Sequence, residues 1–127
     1  MGLPQPKASD LPGHSEVVSG LAVSRVRSLL ASGALVRAEL TEVVPRSTID
    51  RKLKAGGRLS PEESDRVARL LRLKALASDT LGASAEEWLR LPNPSLGGEA
   101  PLSLLRSDEG SRRVEAALLH LAHGDYS

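Results

Sequence analysis

The sequence contains no cysteine and no phenylalanine, and aromatic residues make up only 2% of its 127 residues. Without cysteine the chain can form neither disulfides nor thiolate metal sites, and it has no cysteine nucleophile. With so few aromatic side chains, its core must consist of leucine, valine and alanine. That composition is typical of small helical domains and unfavourable for strands, so we predict an all-α fold.

Long apolar runs are also absent from the sequence. No stretch approaches the roughly 20 residues that a membrane-spanning helix needs, and the N-terminus lacks the apolar centre of a signal peptide. We therefore expect a cytoplasmic protein. A chain of this length forms one domain, or two very small units that share a core.

The net charge of +1 conceals an uneven distribution. Residues 20–58 contain eight basic and three acidic residues, a net charge of +5, whereas residues 82–127 contain four basic and seven acidic residues, a net charge of −3. A basic front half and an acidic back half indicate two different partners.

The segment Leu59–Gly82 predicts a long central helix that joins two modules. Ser60 is a suitable N-cap, Pro61 suits the first helical position, and Glu63 completes a capping box. Gly82 is a suitable C-terminal stop. The apolar residues of this helix cover more than one stripe, so we expect it to be buried on more than one side.

We predict three regions along the chain. Residues 1–19 contain three prolines and no periodicity, which indicates a disordered or loosely attached segment. Residues 20–58 form a helical DNA-binding and dimerisation region, and residues 59–127 contain the central helix and a small C-terminal helical module. The back half continues with short predicted helices at 84–91, from Pro101, and from Ser107 or Asp108 to about Ala122.

The front half has the pattern of a helix-turn-helix. One predicted helix ends at Pro45, and a strongly basic helix follows at once, with Ile49 and Leu53 facing inward and Ser47 as a plausible cap. Such a second helix can lie in the major groove, although a solvated basic face on an ordinary helical hairpin would give the same pattern. The candidate DNA-binding residues are Arg46, Ser47, Thr48, Arg51, Lys52 and Lys54.

We find no set of residues typical of an enzyme or a metal site. His120 and His123 lie three apart on the last predicted helix, but no third ligand at suitable spacing accompanies them. Neither the Gly-x-Ser-x-Gly turn of a serine hydrolase nor a phosphate-binding glycine loop is present. The sequence therefore predicts a non-enzymatic protein without a metal or cofactor.

Several short segments in the second half of the chain form a distinctive series. They are Arg58-Leu59-Ser60-Pro61-Glu62-Glu63-Ser64-Asp65-Arg66, Trp88-Leu89, Pro92-Asn93-Pro94, Leu96-Gly97-Gly98, Pro101-Leu102, Leu104-Leu105, Glu109-Gly110 and Gly124-Asp125-Tyr126-Ser127. This half resembles the toxin-binding domain of the Xre/MbcA/ParS family of antitoxins. Residues 20–57 are similar to the Xre-like helix-turn-helix of that family, with Val44-Pro45 in place of the glycine-containing turn of many repressors.

The resemblance implies the antitoxin of a type II toxin–antitoxin module. Its partner would be a RES-domain toxin that degrades NAD or transfers ADP-ribose from it, two chemistries that the sequence does not separate. The antitoxin would cover the NAD pocket of the toxin and, as a homodimer within a larger complex, bind operator DNA and repress its own operon.

The expected toxin-binding residues lie in the C-terminal module and at its end. Either the tail from about residue 120 reaches into the NAD pocket, with Tyr126 as its aromatic anchor, or the surface formed by residues 91–105 blocks access. The residues concerned are Leu96, Arg106, His120, His123, Gly124, Asp125, Tyr126 and Ser127.

Two other functions remain as alternatives. A stand-alone helix-turn-helix transcriptional regulator would use the same front half but leave residues 92–127 without a role. A small enzyme would need a polar cluster in a cleft, and the sequence shows none. For self-association, which helix-turn-helix proteins commonly use to read paired half-sites, the candidate contacts are Leu21, Val26, Leu29 and Leu30.

Overall fold

The computed structural model describes residues 6–124, and nearly all of the regular structure in this range is helical. Its α-helices are α1 (His14–Ser19), α2 (Val23–Ser32), α3 (Arg37–Val43), α4 (Arg46–Ala55), α5 (Pro61–Leu81), α6 (Ala85–Arg90) and α7 (Asp108–Ala122). Short 3₁₀ helices occupy Ala8–Asp10, Gly82–Ser84, Pro94–Leu96 and Pro101–Arg106. The prediction of an all-α fold is confirmed.

Helix α5 begins as its sequence predicts. The Ser60 hydroxyl accepts a hydrogen bond from the Glu63 amide at 3.1 Å, and the Glu63 carboxylate accepts one from the Ser60 amide at 2.8 Å. Gly82 ends the helix with φ of 58°, a backbone conformation that favours glycine. At 21 residues the helix is about 30 Å long.

The central position of α5 follows from its apolar surface. It packs against α1, α3, α6, α7 and the 3₁₀ helix Pro101–Arg106, so it belongs to the front and back halves alike. Leu70 and Leu71 are completely buried, and each such leucine contributes about 1.5–3 kcal/mol to stability. The i,i+4 ion pair Asp65–Arg69 forms along this helix at 2.7 Å, whereas no Glu62–Arg66 pair is present among the described residues.

The loop before α5 closes the front half. The Leu59 amide donates to the Leu21 carbonyl at 2.8 Å, and the Leu21 amide donates to the buried Ser64 hydroxyl at 2.7 Å. Gly20 makes this close approach possible, because its φ is 90° and a Cβ there would collide with the Leu59 carbonyl oxygen. The start of α2 is thereby fixed to the start of α5.

The N-terminal segment differs from the sequence prediction. Residues 1–5 lie outside the described residues, but His14–Ser19 forms helix α1, which packs against α5. Glu16 makes an ion pair with Arg25 of α2 at 3.1 Å, and Leu11 packs against the core. A helix of six residues is too short to show a helical period, so the sequence pattern did not indicate it.

The leucine and valine residues proposed for self-association are already used within the chain. Leu21, Val26 and Leu29 are at most 1% exposed, and Leu30 packs against the same core. The first three are buried in the hydrophobic core that the whole chain shares, which the sequence analysis did not anticipate. Leu21, Val26 and Leu29 cannot form a dimer contact without unfolding, so their assignment to self-association is wrong.

The back half packs around the 3₁₀ helix Pro101–Arg106. This helix contacts α3, α5, α6 and α7. Ser107 caps α7, since its hydroxyl accepts from the Gly110 amide at 2.9 Å. Gly110 lies so close to the 3₁₀ helix that a Cβ would collide with the Leu104 carbonyl oxygen, which explains why glycine is required inside α7. Within residues 6–124, no helix is long and apolar enough to cross a membrane.

Candidate functional site

The outward face of α4 is basic. Ile49 is 1% exposed and Leu53 packs against the core, so these two residues fix which side of the helix is inward. At 100° per residue, Ser47, Arg51 and Lys54 lie on the opposite side, and all three are exposed. The side chain of Arg46 is 82% exposed at the first position of the helix.

Two of the predicted DNA-binding residues are placed differently. Thr48 is partly buried, and Lys52 is directed to the loop after the helix, where its ammonium group donates to the Arg58 carbonyl at 2.6 Å. Ser47 is not the N-cap, because Pro45 occupies that position and the helix begins at Arg46. The exposed cationic set on α4 is therefore Arg46, Arg51 and Lys54.

Other cations of the front half hold the fold together. Arg58 donates to the Gly20 carbonyl at 2.8 Å, and Arg27 donates to the Leu53 carbonyl near the end of α4. These residues contribute to the charge of +5, but their guanidinium groups already have hydrogen-bond partners within the chain.

The predicted toxin-binding residues do not form one exposed patch. Leu96 is 3% exposed and belongs to the core, because the turn around Pro94–Leu96 directs it inward; it supports the turn and cannot serve as a surface contact. Arg106 is exposed but is engaged with the front half. Its Nε donates to the Glu42 carbonyl at 2.8 Å, and its Nη2 lies 3.1 Å from the Glu42 carboxylate.

The end of α7 is open to solvent. His120, His123 and Gly124 are all exposed, and Gly124 adopts a φ of 66° directly after the helix. Asp125, Tyr126 and Ser127, which complete the predicted tail, lie outside the described residues. Among residues 6–124 there is no group of three His, Cys, Asp or Glu side chains that could hold a metal ion.

A buried ion pair connects α3 and α5. The Lys74 ammonium lies 2.7 Å from the Glu39 carboxylate and donates to the Ala34 carbonyl at 2.8 Å, and both side chains are 1% exposed. Sequence reasoning missed this pair. A signal was present, because Glu39 and Lys74 each interrupt the apolar stripe of a helix with a charge opposite to that of the other.

The junction of the two halves contains two adjoining clefts. One has a volume of about 470 Å³ and lies along the first turns of α5; the other, of about 420 Å³, lies beside the turn between α3 and α4. Arg66 and Arg106 line both clefts. Two guanidinium groups, those of Arg66 and Arg106, therefore border the surface where the halves meet.

Two protein-family models match the chain, one in each half. The family model "Antitoxin Xre-like helix-turn-helix domain" matches residues 12–72, and the model "Antitoxin Xre/MbcA/ParS C-terminal toxin-binding domain" matches residues 73–124. The two matches meet within α5, the helix that packs against both halves.

Alignments with individual relatives cover most of the chain. An "Antitoxin Xre" of Yersinia enterocolitica (serotype O:8, biotype 1B) is 30% identical over 132 residues, an alignment that covers 100% of this chain and 88% of that protein. An "Antitoxin Xre" of Pseudomonas putida KT2440 is 29% identical over 119 residues, which is 92% of this chain and 75% of that protein. A "Prs ADP-ribosylating antitoxin" of Sphingobium sp. YBL2 is 27% identical, with coverage of 95% and 84% respectively.

These matches agree with the helix-turn-helix, the central helix and the helical back half that the structure shows. They also confirm the prediction that the protein is a regulator rather than an enzyme. The chain belongs to the Xre/MbcA/ParS family of antitoxins.

Proposed function

We propose that this antitoxin acts in the cytoplasm on a RES-domain toxin that consumes NAD or transfers ADP-ribose from it, and that it neutralises the toxin by covering its NAD pocket. The observation that supports this most directly is the match of residues 73–124 to the toxin-binding domain. The Sphingobium relative is named for an ADP-ribosylating system, which is consistent with a toxin of this chemistry. The end of α7 is exposed, so a partner protein can reach it.

Co-expression tests whether the partner is a RES-domain toxin. We expect a reading frame for a RES-domain protein beside the gene for this chain. Expressed alone, that protein should lower the cellular NAD concentration and stop growth; expressed with this chain, it should form a stable complex that leaves NAD at its normal concentration. A RES-domain neighbour that forms no complex and still depletes NAD would contradict the proposal.

We further propose that the protein represses its own operon through α3 and α4. The exposed side of α4 presents Ser47, Arg51 and Lys54 along one line, with Arg46 at its start. Arginine can donate two hydrogen bonds to a guanine edge, and lysine contacts phosphates as a point charge. Arg51 is the central cation of this face, so we assign it to base recognition and Lys54 to the backbone.

Replacing Arg51 tests this assignment. We expect Arg51→Ala to weaken binding to the upstream region of the gene by about 1–3 kcal/mol, with the loss confined to one operator position. Lys54→Ala should weaken binding to all sequences alike and flatten the salt dependence. Arg112→Ala is the matched control, because Arg112 is also exposed but lies on α7. Normal operator binding by an Arg51→Ala, Lys52→Ala double variant would show that another surface binds DNA.

Self-association remains part of the proposal. Helix-turn-helix proteins commonly read two half-sites as a dimer, and a single copy of α4 offers few base contacts. Since Leu21, Val26 and Leu29 are buried within the chain, the dimer contact must use other residues.

A further inference from the structure

A small cavity lies between α3 and α4, next to the face of α4 described above. It has a volume of about 240 Å³ and is lined by Arg37, Ala38, Thr41 and Arg46. Two of these four residues are arginines on different helices, so two guanidinium groups border one concave site. Neither Arg37 nor Thr41 belongs to the residues that sequence analysis assigned to DNA.

Asp50 is the negative charge at this site. It forms a close ion pair with Arg37, and its other carboxylate oxygen lies 3.9 Å from Arg46 Nε. On α4, Asp50 follows Arg46 by one turn, so its carboxylate is directed to the same flank of the helix. The three side chains together have a net charge of +1, with one carboxylate shared between two guanidinium groups.

A structural role for these ion pairs is the simpler explanation, and their exposure argues against it. The side chains of Arg37 and Asp50 are 51% and 49% exposed, and that of Arg46 is 82% exposed. Ion pairs this exposed contribute little to stability. The connection between α3 and α4 depends instead on the buried core residues Leu40, Val43 and Ile49.

We propose that this cavity is a binding site for a backbone phosphate of DNA, and that Asp50 is an internal competitor for it. A phosphodiester oxygen would take the place of the Asp50 carboxylate between the guanidinium groups of Arg37 and Arg46, which bind phosphate with good geometry. The proposal rests on the proposed operator binding, and it adds Arg37 of α3 to the interface.

The position of the cavity suits this role. It lies on the flank of α4 that faces α3, whereas Arg51 and Lys54 point outward from the helix. In a helix-turn-helix the second helix enters the major groove while the first crosses the backbone, so a phosphate beside the groove would meet both arginines. Contacts of this kind fix the register of the protein on DNA without reading its sequence.

Asp50 then sets the strength of backbone binding. While it occupies the two guanidinium groups, a phosphate must displace it and remain close to a like charge. Removal of that charge should strengthen binding to every duplex. Removal of Arg37 should weaken binding to every duplex, because one cation that neutralises a phosphate is lost.

The test measures affinity for two duplexes, the upstream region of the gene and an unrelated sequence of the same length, between 50 and 200 mM salt. Arg37→Ala is expected to weaken both by about tenfold and to reduce the slope of log K against log salt by about 0.9. Asp50→Asn, which keeps the size of the side chain, is expected to tighten both and to steepen that slope. If Arg37→Ala fails to fold, Asp50→Asn alone tests whether the cavity binds phosphate.

The outcomes separate this inference from the proposed function. If Arg51→Ala weakens operator binding while Arg37→Ala and Asp50→Asn leave affinity and slope unchanged, the cavity does not bind phosphate, although α4 still binds DNA. The inference is also overturned if Asp50→Asn weakens binding or if Arg37→Ala affects the operator alone. If the unaltered protein binds neither duplex, the operator proposal fails first.

Discussion

Replacing Lys74 by methionine is expected to destabilise the protein by about 3–5 kcal/mol. The change leaves the Glu39 carboxylate buried without its cation, and breaking a buried pair by removing one partner is among the most costly substitutions in a protein core. It also removes the donor to the Ala34 carbonyl. The loss can be measured as a lower free energy of unfolding in urea, followed by circular dichroism at the helical minimum.

Two further variants isolate the cause of this loss. The double variant Glu39→Met, Lys74→Met removes both charges and should recover most of the stability, because an apolar pair of similar size suits a buried site. Arg106→Met breaks the exposed pair with Glu42, one turn further along α3, and should cost no more than about 1 kcal/mol. A Lys74→Met variant no less stable than Arg106→Met would show that the buried pair has little energetic role.

The two pairs have a common arrangement that explains how the halves are connected. Glu39 and Glu42 lie on α3, within the helix-turn-helix match, whereas Lys74 and Arg106 lie within the toxin-binding match. Helix α3 is therefore held from the back half at two positions, one buried and one exposed. The two matched domains share one core, and neither is a separate unit joined by a linker.

The features that sequence predicted well are those set by residues close together in the chain. The capping box at Ser60 and Glu63 spans four residues, and the cap at Ser107 is equally local, so the types of residue are sufficient to indicate the helix starts. The all-α class follows from composition alone, because the sequence has few aromatic residues and relies on leucine, valine and alanine for its core. Neither conclusion needed knowledge of which helices pack together.

The features that sequence missed depend on contacts between distant residues. Glu39 and Lys74 are 35 residues apart, and each reads separately as one more charge on a helix. The burial of Leu21 and Leu29 depends on how the helices pack together, and the inward direction of Leu96 depends on its turn. The assignment of Lys52 to DNA failed to anticipate its hydrogen bond to the loop after α4.

Unlike Lys74→Met, which should lower stability, removal of the C-terminal tail is expected to remove most of the inhibition of the toxin without affecting stability. Helix α7 ends at Ala122, and the two described residues that follow it, His123 and Gly124, are exposed. We propose that the tail enters the NAD pocket of the toxin, with Gly124 as the joint and Tyr126 as the aromatic anchor. Asp125 and the terminal carboxylate would meet the basic groups that hold the NAD phosphates.

A truncation ending at Ala122 tests this proposal. It should fold and bind operator DNA normally, yet lose most of its ability to inhibit NAD consumption by the toxin. An aromatic anchor buried in a partner contributes about 2 kcal/mol or more, so Tyr126→Ala alone should weaken inhibition by about 30-fold. The acidic tail would also speed association, so the deficit should include a slower rate of binding.

A matched variant addresses the other surface. Leu91 is 50% exposed at the start of the 91–105 surface, and Leu91→Ser would weaken inhibition if that surface blocks the pocket sterically. If the tail is the inhibitor, Leu91→Ser should inhibit nearly as well as the unaltered protein while the truncation does not. Full inhibition of NAD consumption by the truncated protein at equal concentration, together with a loss in Leu91→Ser, would transfer the inhibitory role to residues 91–105.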